Sequence, residues 1–321
     1  MNPEERILTG LWLCAEQPNE ILAELKPEWN ASTKESLIQK LKILGNEFSI
    51  KEVFPWTDQL SECIEHKDFL ISHIRQPDLF LRLRPGFEQL VKRKLSAAGI
   101  SFSTPISNCL ALPNSTKLDE IIELDKEAVI QDLNSQRIAE FLPDFFSNVW
   151  DCCAASGGKS ILAFDLNPSI NLTVSDLRES ILANLKRRFK KAGIQNYRSL
   201  QSDLTITDFR HPSSDFDLLI CDAPCTGSGT WSRTPEQLFY FEVSKIEYYQ
   251  QLQRSILQNV ISNIKMGGHL LYCTCSVFRK ENEENKDWLS NEFGLTIVRS
   301  EILKGYYKRA DSLFATLMRR E

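Results

Sequence analysis

The sequence predicts an α/β fold built on a parallel sheet. Two observations carry this. From residue 146 onward, short apolar runs alternate with helical periodicity, the pattern of strands joined by right-handed crossovers. Several apolar runs end in a small residue, a carboxylate or a cysteine, and in open α/β sheets ligands sit at those carboxyl ends. A third observation sets the scale. The chain has 321 residues, 42% hydrophobic and 25% charged, enough for two or three folded units of ordinary composition. No run of eighteen apolar residues exists to cross a membrane as a helix.

Three regions follow in order. Residues 1–70 read as a helical segment: Ile7, Leu8, Leu11, Trp12 and Ala15 share one helical face, and Leu37, Ile38, Leu41 and Leu44 repeat it, with Ser32 or Thr33 as cap. Trp12, Trp29 and Trp56 read as packing residues, and no chemistry is evident. Residues 71–145 read as a small α+β module. Phe80–Arg84 alternates as a strand before Pro85-Gly86, residues 87–98 form an amphipathic helix, and Ser107–Leu112 and Ile121–Leu124 suggest further strands. Gln131-Asp132 opens a helix to about Leu142. Residues 146–321 carry the main sheet, with strands expected at Asn148–Asp151, Asn171–Ser175, Asp217–Cys221, His269–Cys273 and Thr296–Arg299. Helices are expected near 158–165, 178–192, 235–266 and 280–291, the last with acidic residues from Glu281 suited to its N-terminal dipole.

Charge adds a second division. The net charge of −5 resides in residues 1–70 (net −6), while the remainder is near neutral. Basic residues cluster at Arg75, Arg82, Arg84, Lys92, Arg93 and Lys94 and at Lys186, Arg187, Arg188, Lys190 and Lys191. Such clusters suit phosphates or a solvated helix face equally. The odd count of nine cysteines and a start, Met1–Arg6, without a signal-peptide pattern fit a reducing cytoplasm.

Three stretches carry chemistry. The first is the loop Cys153-Ala154-Ala155-Ser156-Gly157-Gly158-Lys159, after Asp151-Cys152. Its small residues let a ligand reach a helix N-terminus. Gly158-Lys159-Ser160 mimics a phosphate-binding loop, but Cys153 stands where that motif needs glycine, so an ATPase or GTPase is disfavoured. Asp176, ending the second strand, stands where a ribose diol is held, and Asp203 follows a third strand. The second stretch is Asp222-Ala223-Pro224-Cys225-Thr226-Gly227-Ser228-Gly229, a stiff turn carrying a carboxylate and a thiol. The third is Tyr272-Cys273-Thr274-Cys275-Ser276, whose second thiol lies past the strand end. Cys152, Cys153, Cys221 and Cys273 read as buried core thiols; Cys225 and Cys275 have loop contexts that favour function. The cysteine spacings and the scarcity of histidine, with only His211 and His269 in this half, give an expectation of no metal.

These three stretches, with the Gln131-Asp132…Ser135-Gln136 lead-in and Ser312-Leu313-Phe314-Ala315-Thr316-Leu317, resemble the Sun/nucleolar-protein (RsmB-type) family of RNA (cytosine-5)-methyltransferases over roughly residues 75–321. The resemblance implies a Rossmann-like class I methyltransferase with a mostly parallel seven-stranded sheet, behind an RNA-binding module. It implies S-adenosyl-L-methionine as cofactor, held by residues 153–159, Asp176, Asp203 and Asp222. It further implies Cys275 as nucleophile, Cys225 as the thiol of product release and Asp222 acting on the cytosine. The expected partner is RNA, ribosomal before transfer RNA, on a cytoplasmic monomer with no membrane partner. Departures are Ser156 where proline is usual, Thr226-Gly227-Ser228-Gly229 for Ser-Gly-Thr-Gly, Arg82-Leu83-Arg84 where Arg-x-Asn is frequent, and a shorter helical extension. An amino-group methyltransferase prefers an aromatic after a proline pair at this turn, and a DNA enzyme carries its nucleophile in a Pro-Cys context. A non-catalytic RNA-binding protein on this fold is the remaining alternative.

Overall fold

The computed structural model describes residues 2–45, 49–206 and 215–321. The expected Pro212-Ser213-Ser214 boundary and His211 lie outside them. The main sheet has seven strands: β4 (Asn148–Asp151), β5 (Asn171–Asp176), β6 (Tyr197–Gln201), β7 (Phe216–Asp222), β8 (Ile264–Thr274), β9 (Leu295–Leu303) and β10 (Leu313–Arg320). Their order is β6-β5-β4-β7-β8-β10-β9, parallel from β6 to β8, with β10 antiparallel to both neighbours. This is the Rossmann-like class I methyltransferase arrangement. The chain runs outward from β4 through β5 to β6, then returns to place β7 on the other side of β4. The crevice opens at that reversal, where Asp151 and Asp222 end their strands.

The strand residues explain the layers. β7 is apolar on both faces, with Leu218, Leu219, Ile220 and Cys221 all buried. One face packs on helices Gly158–Leu166 and Glu179–Ala192 through Ile161, Leu182, Leu185 and Phe189. The other packs on helices Ser244–Val260 and Glu283–Phe293 through Ile246, Leu257 and Leu289. The long helix expected over 235–266 is instead two, Glu236–Tyr240 and Ser244–Val260, because Phe241 turns extended and drops into an aromatic cluster with Trp56, Trp231 and Phe278. The chain is already strand at Ile264.

Ahead of this sheet lies a three-stranded antiparallel one, ordered β2 (Cys109–Leu112), β1 (Leu79–Leu83), β3 (Ala128–Ile130), covered by helix Glu88–Ala97 through Val91 and Leu95. The expected strand at Ile121–Leu124 is a turn. Ile121 and Ile122 hydrogen-bond back to Leu118, and Asp125 takes a left-handed φ of 69°, so the strand begins only at Ala128.

Arg82 and Arg84 are not a phosphate-facing surface. Both are buried on Asp165: Arg82 Nη1 lies 2.5 Å and Arg84 Nη2 2.6 Å from its carboxylate, and Arg84 also donates to the carbonyl of Ala192 at 2.8 Å. The guanidiniums of Arg82 in β1 and Arg84 just past it thus clamp one carboxylate of the 158–166 helix, joining the small sheet to the elements of the large one. Removing one partner of a buried ion pair leaves charge without compensation. Asp165→Ala is therefore expected to lower stability by about 3–5 kcal/mol, read as a shifted urea midpoint. A shift below about 1 kcal/mol, the level of an exposed pair, would show that solvent reaches the guanidiniums. Lys186, Arg187, Lys190 and Lys191, by contrast, are exposed.

The N-terminal helices pack around Trp12, which is fully buried and stacked on Trp29 at 4.9 Å, with Leu8, Leu11, Ala15, Leu37 and Leu41 against the cluster. Ile7 and Ile38, expected on the same faces, are exposed because the buried stripe runs through Leu13 and Leu44 instead. The second of the two expected helices is Leu37–Leu44, capped by Ser36 in a reciprocal box with Gln39, and two short helices, Glu20–Leu25 and Pro27–Ala31, precede it. Ser32 instead accepts from Trp12 Nε1, and Thr33 donates to the carbonyl of Asn30. The segment that follows bears on the candidate site. Ser61 N–H donates to the carbonyl of Val277 at 2.8 Å and Arg279 N–H to that of Gln59 at 2.9 Å, so residues 59–61 brace the turn directly after Cys275.

Candidate active site

Parallel pairing of β7 with β8 sets Asp222 beside Cys273. The two chains then leave the sheet together, and Cys225 and Cys275 emerge on the same cavity. Gly229 holds the two loops at this spacing. Its N–H donates to the carbonyl of Cys275 at 2.8 Å and its carbonyl accepts from Ser312 N–H at 2.9 Å. A Cβ there would stand 2.0 Å from the Ser312 carbonyl oxygen, so only glycine fits.

Two cavities meet here. The larger, about 510 Å³, is lined by Cys153, Asp176, Asp203 and Cys225 among others. The smaller, about 280 Å³, is lined by Asp132, Asp151, Lys159 and Asp311 among others. Asp222 and Cys275 border both. A thiol and a carboxylate therefore stand between two spaces, each able to hold one reactant.

The ten residues expected on a cofactor divide between these spaces. Cys153, Ala155, Asp176, Asp203 and Asp222 line the larger one. Ala154, Ser156, Gly158 and Lys159 line the smaller, as Ala155 and Asp222 also do. Gly157 lines neither: it turns the loop with φ 84°, and a Cβ would meet Phe189 at 2.6 Å. Asp176 Oδ2 accepts from Ala155 N–H at 3.1 Å, so the carboxylate at the end of β5 also shapes the loop after β4. Asp203 lies two residues past β6. Its carboxylate accepts from Thr205 N–H and Oγ1, which hold it below the usual range. Cys153, expected as a core thiol, is part-exposed on the cavity floor, whereas Cys152, Cys221 and Cys273 are fully buried.

Lys159 makes a contact that its motif did not reveal. Its ammonium is buried and lies 2.6 Å from Asp222 Oδ2, pairing the loop after β4 with the end of β7. Burial pushes the Cys275 thiol up to about 12; Asp222 adds to the rise and Lys159 opposes it. Burial likewise holds Cys225 protonated, with Glu281 adding to the rise. Asp151, whose Oδ2 accepts from Ser160 Oγ at 2.6 Å, is raised to about 7 by burial.

Glu281 is the second such residue. It precedes the helix rather than serving its dipole, and it is fully buried. Its Oε1 accepts from Thr226 Oγ1 and from Ser276 Oγ, both at 2.6 Å. Its Oε2 accepts from Thr226 N–H at 2.9 Å and Gln253 Nε2 at 3.0 Å. Thr226 follows Cys225 and Ser276 follows Cys275, so one carboxylate ties together the residues next to both thiols. Glu281→Gln keeps the shape and replaces an acceptor with a donor. It is expected to slow turnover by about 10²-fold, the scale of an ångström of misplacement, with binding at the larger cavity unchanged. Unchanged turnover would reduce Glu281 to a packing role.

A third group had no signal in its local sequence. Arg233 donates to Asp132 at 2.9 Å and to Asp311 at 2.7 Å, bringing together residues 101 and 78 positions away along the smaller cavity. Burial and the neighbouring Asp132 raise Asp311 to about 7.

Comparison with known proteins gives this arrangement a context. Residues 143–299 match the family model described as 16S rRNA methyltransferase RsmB/F. The chain is 34% identical over 166 residues to ribosomal RNA small subunit methyltransferase B of Shewanella oneidensis, covering 50% of this chain and 38% of that one. It is 31% identical over 161 residues to the protein of that name from Proteus mirabilis, covering 48% and 37%. The chain thus spans under two-fifths of the length of these curated relatives. Among solved structures, a methyltransferase homolog protein from Pyrococcus horikoshii superposes with a TM-score of 0.68 at 21% identity, covering 88% of this chain and 98% of that one. NSun6 from the same organism, solved with SFG, gives 0.68 at 15% identity, covering 84% and 96%. These likenesses establish a shared fold. Over residues 143–299, the stretch that carries Asp151–Lys159, Asp222–Gly229 and Cys275, the chain is thus similar to the RsmB/F methyltransferases.

Proposed function

We propose that this protein transfers a methyl group from S-adenosyl-L-methionine to carbon 5 of a cytosine in RNA, ribosomal RNA by preference. The single observation that carries this reading is the position of Cys275 and Asp222 on the boundary between two cavities. The larger cavity suits the cofactor: Cys153 and Ala155 of the loop after β4 line it, and Asp176 lies at the end of the second strand, where a ribose is held. The cofactor, when bound, supplies an electrophilic methyl group. The smaller cavity suits a base turned out of its strand.

Carbon 5 of cytosine is a weak nucleophile. The Cys275 sulfur adds to carbon 6, and the electrons of the 5,6 double bond become available at carbon 5 to take the methyl. Negative charge grows on the ring as the sulfur–carbon bond forms. The pair of buried Lys159 and half-buried Asp222 faces that charge, and the ammonium can share a proton with ring nitrogen 3 or the exocyclic oxygen. The proton on carbon 5 is then removed, the carbon–sulfur bond breaks, and Cys275 is released. Cys225 is the nearby thiol on the same cavity; held protonated by burial, it first gives its proton to solvent, and its thiolate then takes the proton of carbon 5. The exposed Lys186, Arg187, Lys190 and Lys191 offer phosphate contacts to a larger RNA.

The test is methyl transfer from labelled cofactor to ribosomal and transfer RNA, followed by bisulfite sequencing of RNA from cells with and without the protein. A 5-methylcytosine missing from ribosomal RNA of the deleted cells is the expected result. Loss from transfer RNA alone would move the substrate. Cofactor binding without transfer to any RNA would favour a non-catalytic RNA-binding role.

A further inference from the structure

We propose that Cys152, Cys153 and Cys221 form a binding site for one copper(I) ion, and that its occupation excludes the ligand of the adjoining cavity. The trio is assembled by the sheet. Asp151 pairs with Ile220 across β4 and β7, so Cys152, one residue past β4, stands beside Cys221, still within β7, and Cys152 N–H donates to the Ile220 carbonyl at 2.9 Å. Cys153 follows at the start of the loop. The three sulfurs lie within 4.8 Å of one another. A trigonal ion with metal–sulfur bonds of about 2.3 Å spaces its ligands about 4 Å apart, so the trio closes on an ion with shifts of less than about 1 Å.

The donor set selects the ion. All three atoms are sulfur, which suits soft cations and not magnesium, calcium or manganese. Among the described residues no histidine or carboxylate completes this cluster, and three sulfurs alone satisfy trigonal copper(I), whereas structural zinc takes four ligands. Entry is provided by Cys153, part-exposed on the floor of the 510 Å³ cavity, while Cys152 and Cys221 are buried behind it. Each thiol that coordinates gives its proton to solvent, so affinity rises with pH. The exclusion rests on the assignment of that cavity to S-adenosylmethionine; the metal site does not.

The test uses the full chain, reduced and free of oxygen, with Cys14, Cys63, Cys225 and Cys275 replaced by serine to remove competing thiols. Copper(I) is titrated against a chromophoric copper(I) chelator. One equivalent held per chain is expected, and Cys152→Ser or Cys221→Ser should release it. X-ray absorption of the loaded parent, which needs no further variant, should find three sulfur neighbours. No retained equivalent, retention undiminished in both serine variants, or fewer than three sulfurs overturns the site. Zinc retained in preference to copper(I) overturns the choice of ion. Calorimetry with S-adenosylhomocysteine then compares loaded and metal-free protein. At least tenfold weaker binding to the loaded protein is expected, and equal affinity overturns the exclusion. Failure to bind the metal-free protein overturns the cofactor assignment and leaves the metal site standing.

Discussion

Replacing Cys275 with alanine is expected to abolish methyl transfer, lowering turnover by at least about 10⁴-fold, the scale on which enzymes lose a covalent nucleophile. Only a sulfur at the junction of the two cavities can attack a base in one while presenting carbon 5 to the other. Cys275→Ser should be as inactive, since a hydroxyl ionises far less readily than a thiol. Cofactor affinity should change little in either variant, because the remaining wall of the larger cavity is intact. That contrast separates lost chemistry from lost structure. The wild-type pH dependence carries the same reasoning further. With the thiol near 12, the reactive thiolate is the minority form at neutral pH. Its fraction grows about tenfold per pH unit below that value, so the rate of adduct formation should climb steadily from pH 6 to about 9. A flat profile would mean that the thiol hands its proton to a group within the site, with Asp222 first in line.

The features legible in the sequence are those fixed by strand ends. Cys225 and Cys275 are separated by 50 residues, yet each follows a short apolar run by a few positions, and adjacency of two parallel strands suffices to bring them to one cavity. The same holds for Asp176 and the loop at 153–159. What escaped the sequence is contact between side chains at unrelated separations. The salt bridge of Lys159 to Asp222 spans 63 positions, and no pattern within either segment favours it over a lysine turned to a phosphate. Glu281 looked like one acidic residue among several at a helix start. Its burial on Thr226 and Ser276 depends on how the β8 turn folds back over the β7 turn. Arg82 and Arg84 looked basic and surface-exposed because the carboxylate that neutralises them, Asp165, belongs to another unit of the chain. The cysteine trio was hidden for a related reason: linear spacing describes ligands within one loop, and here two neighbouring strands supply them.

Replacing Cys225 with alanine should give the opposite phenotype to loss of Cys275: a protein that attacks RNA and cannot let go. Addition of Cys275 to carbon 6 needs the base, the Lys159–Asp222 pair and the nucleophile, and none of these is removed. Release needs a base for the proton on carbon 5, and a thiol whose burial makes its thiolate strongly basic is the group lost. The adduct should therefore accumulate in the presence of cofactor. On a denaturing gel, Cys225→Ala incubated with substrate RNA should shift to near-stoichiometric slow-migrating complex, where wild type shows a trace. The double variant Cys225→Ala, Cys275→Ala should show none, which establishes which sulfur is bonded. If Cys275→Ala traps RNA while Cys225→Ala does not, the two roles are exchanged. Glu281 bears on the same experiment. Because it holds Thr226 and Ser276 together, Glu281→Gln in the Cys225→Ala background should slow the appearance of the adduct without lowering its final yield. Attack depends on alignment of the thiol, whereas persistence of the adduct depends only on the missing base.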